Sequence, residues 1–155
     1  MILKLLDFDK KSLIIENNKL GNLDLIAIPI AQSLNELEKK DIAIYYKSIN
    51  QDLIPKTDQI NSLAAIETIT FIGYPNMIYD NINKLPIVRQ GITATPIWND
   101  FMGENDFLID AEVFPGSSGS PVFLYNQGSY PSGNGIIIGN RLFFVGIISH
   151  TFKTK

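Results

Sequence analysis

A chain of 155 residues, 45% apolar and 19% charged, has the composition of a globular protein of one or two small domains rather than of a disordered segment. A net charge of −3 leaves no basic footprint, so no nucleic-acid partner is expected. With no cysteine and a single histidine, disulfides, thiolate metal sites and multi-histidine clusters are excluded, and no cofactor or metal is expected.

The longest apolar runs, such as Leu142 to Ile148, fall far short of the roughly 20 residues that a membrane helix needs, so no membrane partner is expected. No basic stretch followed by an apolar core opens the chain at Met1, and the lack of cysteine fits a reducing compartment. The expected location is therefore cytoplasmic. The oligomeric state is not legible in the composition.

In chain order, Met1 to Phe8 and Ser12 to Glu16 read as two short strands joined by the polar turn Asp9-Lys10-Lys11. After a second turn at Asn17 to Asn22, the run Leu23 to Ile30 is almost wholly apolar except for Asp24. A carboxylate in such a run is costly to bury unless it is paired, or else it is a solvated strand end. Ala31 to Lys40 changes character: Ser33 with Glu36 fits a capping box, Leu34 and Leu37 give an apolar edge, and Glu36 stands four before Lys40. A short helix is expected there. Residues 41–59 are ambiguous between helix and extended chain, and 31–66 is read as a connection between two β units.

From Thr68 the β signals persist. Strands are expected over Thr68 to Pro75, over Pro86 to Ala94 with Gly91 as a candidate bulge, over Asp106 to Val113, and over Pro121 to Tyr125. Ile136 to Ile138, Gly139-Asn140 and Arg141 to Ser149 read as a two-residue hairpin. Short strands at regular spacing with Gly and Pro turns indicate a closed or sandwiched all-β unit.

Between two of these strands lies Asp110-Ala111-Glu112-Val113-Phe114-Pro115-Gly116-Ser117-Ser118-Gly119-Ser120-Pro121. Gly116 permits close backbone approach, and Ser118 is displayed between glycines. The N–H groups of Gly116 and Ser118 can converge on one small space, the geometry of an oxyanion hole. Glycine and serine are also ordinary turn formers, so a plain hairpin loop is the competing reading.

Gly116 to Pro121 resembles the nucleophile loop of trypsin/chymotrypsin-like serine peptidases, Gly-x-Ser-Gly-(Gly/Ser)-Pro. The longer pattern from Asp110 is similar to the bacterial, disulfide-free branch that includes the Deg-type proteases. The resemblance implies that Ser118 is the catalytic nucleophile. Asp24, in a segment similar to the family's Asp-(Ile/Leu)-Ala strand, would be the catalytic residue that orients the histidine. Ser117 departs from the aspartate that vertebrate digestive enzymes use for zymogen activation, so activation by that route is not implied.

A third segment, Val145 to His150, resembles the strand that pairs with extended substrate, which makes Ser149 and His150 cleft-lining residues. His150 as the catalytic base is a competing reading, although the loop is not the Gly-x-Ser-x-Gly elbow of the Ser-Asp-His order. Glu112 would lie near the base of the first specificity pocket, where an acid suits lysine or arginine. Thr151, however, would stand at its mouth, where a β-branched side chain blocks long residues and favours small or aliphatic ones at the cleavage site. No histidine precedes Asp24.

The implied architecture is a mostly β, trypsin-like double β-barrel with a short helical connection. Its first barrel is incomplete and its second lacks the last strand: 1–30 is a remnant of the first barrel, 31–66 the connection, and 67–155 the second barrel. The implied function is serine endopeptidase action on peptide or protein substrates by a fragment without the catalytic histidine. The alternative is a non-catalytic pseudo-peptidase module that binds extended peptides.

Overall fold

A computed structural model describes residues 28–132 and 135–149. The chain divides into two compact units, Met1–Ser48 and Ile49–Lys155, and the division falls inside the segment read as a connection.

In the first unit the described structure is one helix, α1 (Ala31–Glu38), where a short helix was expected. It opens differently from the expected capping box. Ile30 occupies the N-cap, its carbonyl accepts from Leu34 N (2.9 Å), and Ser33 sits inside the first turn. Gln32 therefore makes the side-chain bond to Glu36 (3.4 Å). Lys40 lies past the helix end, so the expected Glu36–Lys40 pair is not on one helical face. The two strands expected before Asn17, and most of the 23–30 run, lie outside the described residues; Ile28 to Ile30 carry no regular structure.

The second unit begins with a 3-10 turn (Gln51–Leu53) and a short helix α2 (Thr57–Asn61), which resolves the ambiguous stretch as mostly irregular chain with local helix. The Gln59 side chain closes the start of α2 by accepting from Lys56 N (2.8 Å). Among the described residues seven strands follow: β1 (Thr68–Gly73), β2 (Ile87–Thr93), β3 (Ile109–Asp110), β4 (Pro121–Asn126), β5 (Ser129–Ser132), β6 (Gly135–Ile138) and β7 (Arg141–Ile147). Five form an antiparallel sheet in the order β3-β2-β1-β4-β7, and β5 pairs with β6 as a two-stranded ribbon. The protein is thus mostly β.

The expected hairpin across Gly139-Asn140 does not form. β7 pairs with β4, from Asn126↔Arg141 to Pro121↔Ile147, and β6 pairs with β5 from Ser129↔Ile138 to Ser132↔Gly135. From Phe123 onward the two ladders share one register, with a one-residue shift between Val122 and Phe123, so the four strands make one long hairpin whose arms are interrupted at 127–128 and 139–140. At the interruption Gly128 N donates to Asn140 Oδ1 (3.0 Å) and Gly139 N to Gly128 O (2.9 Å). In this pairing Val122 and Leu124 of β4 lie in the core with Phe143 and Val145 of β7 packed against it, the kind of burial that fixes register.

Alternation along the strands places the core on one face. Ile69, Phe71, Val122, Leu124, Leu63 and Ile148 are buried there, with Ile97, Ile109, Ala111, Val113, Phe143 and Val145 packed against them. Gly91 lies in regular register opposite Ile69, so it is not a bulge. It is small because β3 passes close by: a Cβ there would stand 2.6 Å from Asp110 O and 2.5 Å from Ala111 Cβ.

The same face carries a buried ion pair. Glu67 (1% exposed) accepts from both terminal nitrogens of Arg141 (6% exposed) and from Ala64 N (2.9 Å). Arg141 Nε donates to Asn126 Oδ1 (2.9 Å), and its guanidinium lies 4.4 Å from the centre of the Tyr130 ring. Thr93 completes the joint, accepting from Glu67 N (2.9 Å) and donating to Ala65 O (3.3 Å). Every polar atom that the pair brings out of water thereby gains a partner, which is the condition for burying charge.

Of the closed or sandwiched unit expected from the strand spacing, no closed barrel is seen among the described residues. β3 has only two residues and β7 is paired on one side alone, so they remain the two edges of an open sheet.

Candidate active site around Ser118

One end of the sheet gathers the last residue of β1, the first of β2 and β4, and the last of β7. The loop 111–120 enters β4 at this end. Ser117 N donates to Phe114 O (3.1 Å) and Ser120 N to Ser117 O (3.0 Å), two consecutive tight turns. Gly116 and Gly119 stand at φ +86° and +82°, a region that glycine enters without steric cost. Ser118 is the exposed residue between them.

The loop is held from three sides. Asn76 N donates to Pro115 O (2.7 Å), and a Cβ on Gly116 would come within 3.2 Å of Asn76 N, so the turn after β1 lies directly against it. On the β7 side Gly119 N donates to Ile148 O (2.8 Å) and Ile148 N to Ser120 O (2.9 Å). Below the loop, Ser120 is buried against Gly73, whose own Cβ would fall 2.1 Å from Ser120 Oγ. Further along the turn after β1, Asp80 caps 80–85. The Asn83 side chain, then the N–H groups of Asn83 and Ile82 and the nearby Lys84, hold its carboxyl below the usual 3.8.

Of the residues singled out from the sequence, Ser118 and Ser149 are brought together: Ser118 Oγ donates to Ser149 O (3.0 Å). The N–H groups of Gly116 and Ser118 have no acceptor among the described residues. Glu112 is exposed, with its backbone carbonyl turned to the sheet. Asp24, His150 and Thr151 lie outside the described residues.

Arg89 was missed. It leaves β2 beneath the loop, with its guanidinium 4.5 Å from the centre of the Phe71 ring. Nη2 donates to Ser117 Oγ (3.1 Å) and Nη1 to Glu112 O (3.4 Å). The available signal was a charge within the otherwise uncharged run Ile87 to Ala94, the same kind of signal that drew attention to Asp24. A cavity of about 130 Å³ beside α2, lined by Tyr130, Ile137, Arg141 and Phe143 among others, shares no residue with the loop.

No metal-holding cluster of His, Cys, Asp or Glu occurs among the described residues, and none of their helices is long and apolar enough to cross a membrane. Comparison with family models, with curated proteins and with solved structures gave no match.

Proposed function

We propose that the chain carries the nucleophile-bearing part of a serine endopeptidase domain of trypsin-like, double-barrel type. Ser118 is the attacking hydroxyl. The N–H groups of Gly116 and Ser118 receive the oxyanion of the tetrahedral intermediate, and an imidazole oriented by Asp24 takes the serine proton. The observation that carries this reading is the loop itself: an exposed serine between two left-handed glycines, with two backbone donors left unspent at and beside it. Its sequence resemblance to the peptidase nucleophile loop supplies the reaction class. β7 adds support, because among the described residues no strand pairs with its second side, where an extended peptide can pair by strand addition.

A second reading, a module that binds peptides without cleaving them, is favoured by the partner of the serine. Ser118 donates its proton to a carbonyl, which cannot act as a base, and no imidazole or carboxylate among the described residues bonds to it. Labelling with a fluorophosphonate, with and without added imidazole, separates the two. The peptidase reading expects an adduct on Ser118 that grows with imidazole and is absent from Ser118→Ala. A chain that binds extended peptides but takes no label under either condition is the non-catalytic module.

A further inference from the structure

Arg89 is a half-buried cation with no carboxylate partner among the described residues. Its counterpart Arg141, on the same sheet face, has Glu67; Arg89 has only a hydroxyl, a carbonyl and an aromatic ring. Its Nε is buried and makes no hydrogen bond. Burying a guanidinium without a counter-ion is costly, so such an arrangement persists where the contacts it makes are worth the expense.

Those contacts lie on the two limbs of one loop. Glu112 O stands on the strand-like limb that enters it, and Ser117 Oγ is the side chain immediately before Ser118. Ser117 is 1% exposed, so its hydroxyl is fixed inside the protein while its neighbour is displayed outside. The planar fork of arginine spans both limbs at once and sits over the ring of Phe71, whose own side chain is fully buried. The loop is therefore pinned from beneath by a rigid, charged side chain, and bonds to a charged donor are the stronger kind.

We propose that Arg89 is the positioning residue of the Ser118 loop. Its guanidinium fixes Ser117 inward, and the backbone turn that follows then holds the N–H groups of Gly116 and Ser118 free for an anionic oxygen. The residue touches no substrate; it acts through Ser117. The oxyanion part of this proposal rests on the peptidase reading, whereas the clamp itself does not.

The experiment therefore uses two readouts on the full 155-residue chain and on Arg89→Met, Arg89→Lys and Ser117→Ala. The first is amide hydrogen exchange resolved by peptide. Arg89→Met is expected to raise exchange in 112–120 about tenfold, the loss of roughly one charged hydrogen bond, while β1 and β4 keep their protection. Ser117→Ala, which keeps the stacked cation and removes only its hydroxyl partner, is expected to raise exchange in the same segment by a smaller factor. Arg89→Lys is expected to fall between Arg89→Met and the native chain.

The second readout is the rate of fluorophosphonate labelling at Ser118 with added imidazole, expected to fall in the same order as protection is lost. A native chain that takes no label overturns the peptidase reading while the exchange data still judge the clamp. Unchanged exchange in 112–120 for both Arg89→Met and Ser117→Ala overturns the clamp. A rise shared equally by 68–73 and 121–126 also overturns it, because Arg89 would then merely be part of the core.

Discussion

Replacing Arg141 with methionine is expected to be among the most damaging single changes in the second unit. The substitution keeps an unbranched apolar stem, so the packing against Phe143 and the ribbon changes little. What it removes is the pair of donors on the Glu67 carboxylate, which is 1% exposed and would keep only Ala64 N. Breaking a buried pair from one side costs about 3–5 kcal/mol, because the remaining charge is stranded in a poor solvent. Asn126 Oδ1 also loses its donor, and the Tyr130 ring its cation.

Set against a total stability of about 5–15 kcal/mol, that is a large fraction, and it corresponds to a fall of about 1–5 M in the urea midpoint. Trp98, the sole tryptophan, lies in this unit and reports its unfolding by fluorescence. Glu67→Gln is expected to cost less, about 1–3 kcal/mol, since an amide keeps the shape and part of the bonding. Combining Glu67→Gln with Arg141→Met should recover at least about 1.5 kcal/mol relative to the sum, as neither charge is then left alone. Additive effects, or an Arg141→Met chain within about 1 kcal/mol of the native one, would refute the reasoning.

Other expectations follow from single contacts. Gly73→Ala should destabilise by about 1–3 kcal/mol, because its Cβ overlaps Ser120 Oγ, and Ser120→Ala in the same chain should restore part of the loss in urea melts. The Asp80 carboxyl is held below 3.8 by Asn83, Ile82 and Lys84, so its contribution to the 80–85 turn is complete above that pH and is lost as pH falls through the lowered value. The Ile82 and Asn83 amide signals should accordingly titrate together with a midpoint below 3.8; a midpoint at or above it would contradict the bonding described. Without an added base the chain is expected not to turn over peptides, and turnover that disappears in both His150→Ala and Ser118→Ala would instead make His150 the base.

Much of the β content could be read from apolar runs and Pro/Gly punctuation: burial alternates along β4 and, between half-buried and exposed residues, along most of β2, whereas β1 and β7 are apolar runs without clean alternation. Pairing could not. The sequence offers Gly-Asn at both 133–134 and 139–140, and nothing local says that the first pair separates the partnered strands. That choice is made by Val122 and Leu124 meeting Phe143 and Val145 across the sheet. The third strand was overestimated for a related reason: Asp106 to Val113 has strand-like composition, but only Ile109–Asp110 finds a ladder partner on β2. Closure of a barrel is a property of edges, which a single sequence does not display.

At the candidate site, the display of Ser118 between Gly116 and Gly119 was legible because small residues and turn-forming glycines leave a local pattern. Arg89 was not, since it is a lone charge whose hydrogen-bond acceptors lie 23 and 28 residues away in the chain, and the Glu67–Arg141 pair away from the site was hidden by a separation of 74 residues. The available signal for each was a charge inside or beside an apolar run, the same pattern that Asp24 shows.

The most direct measurement on the proposed function is mass mapping of the fluorophosphonate adduct on the full chain in imidazole buffer, beside Ser118→Ala. Ser117 and Ser120 serve as internal controls, being chemically identical, within two residues, and buried where Ser118 is exposed. The expected result is a single adduct on Ser118, absent from the variant. An adduct on Ser117 or Ser120, or none on the native chain at any imidazole concentration, would contradict the assignment of Ser118 as the nucleophile.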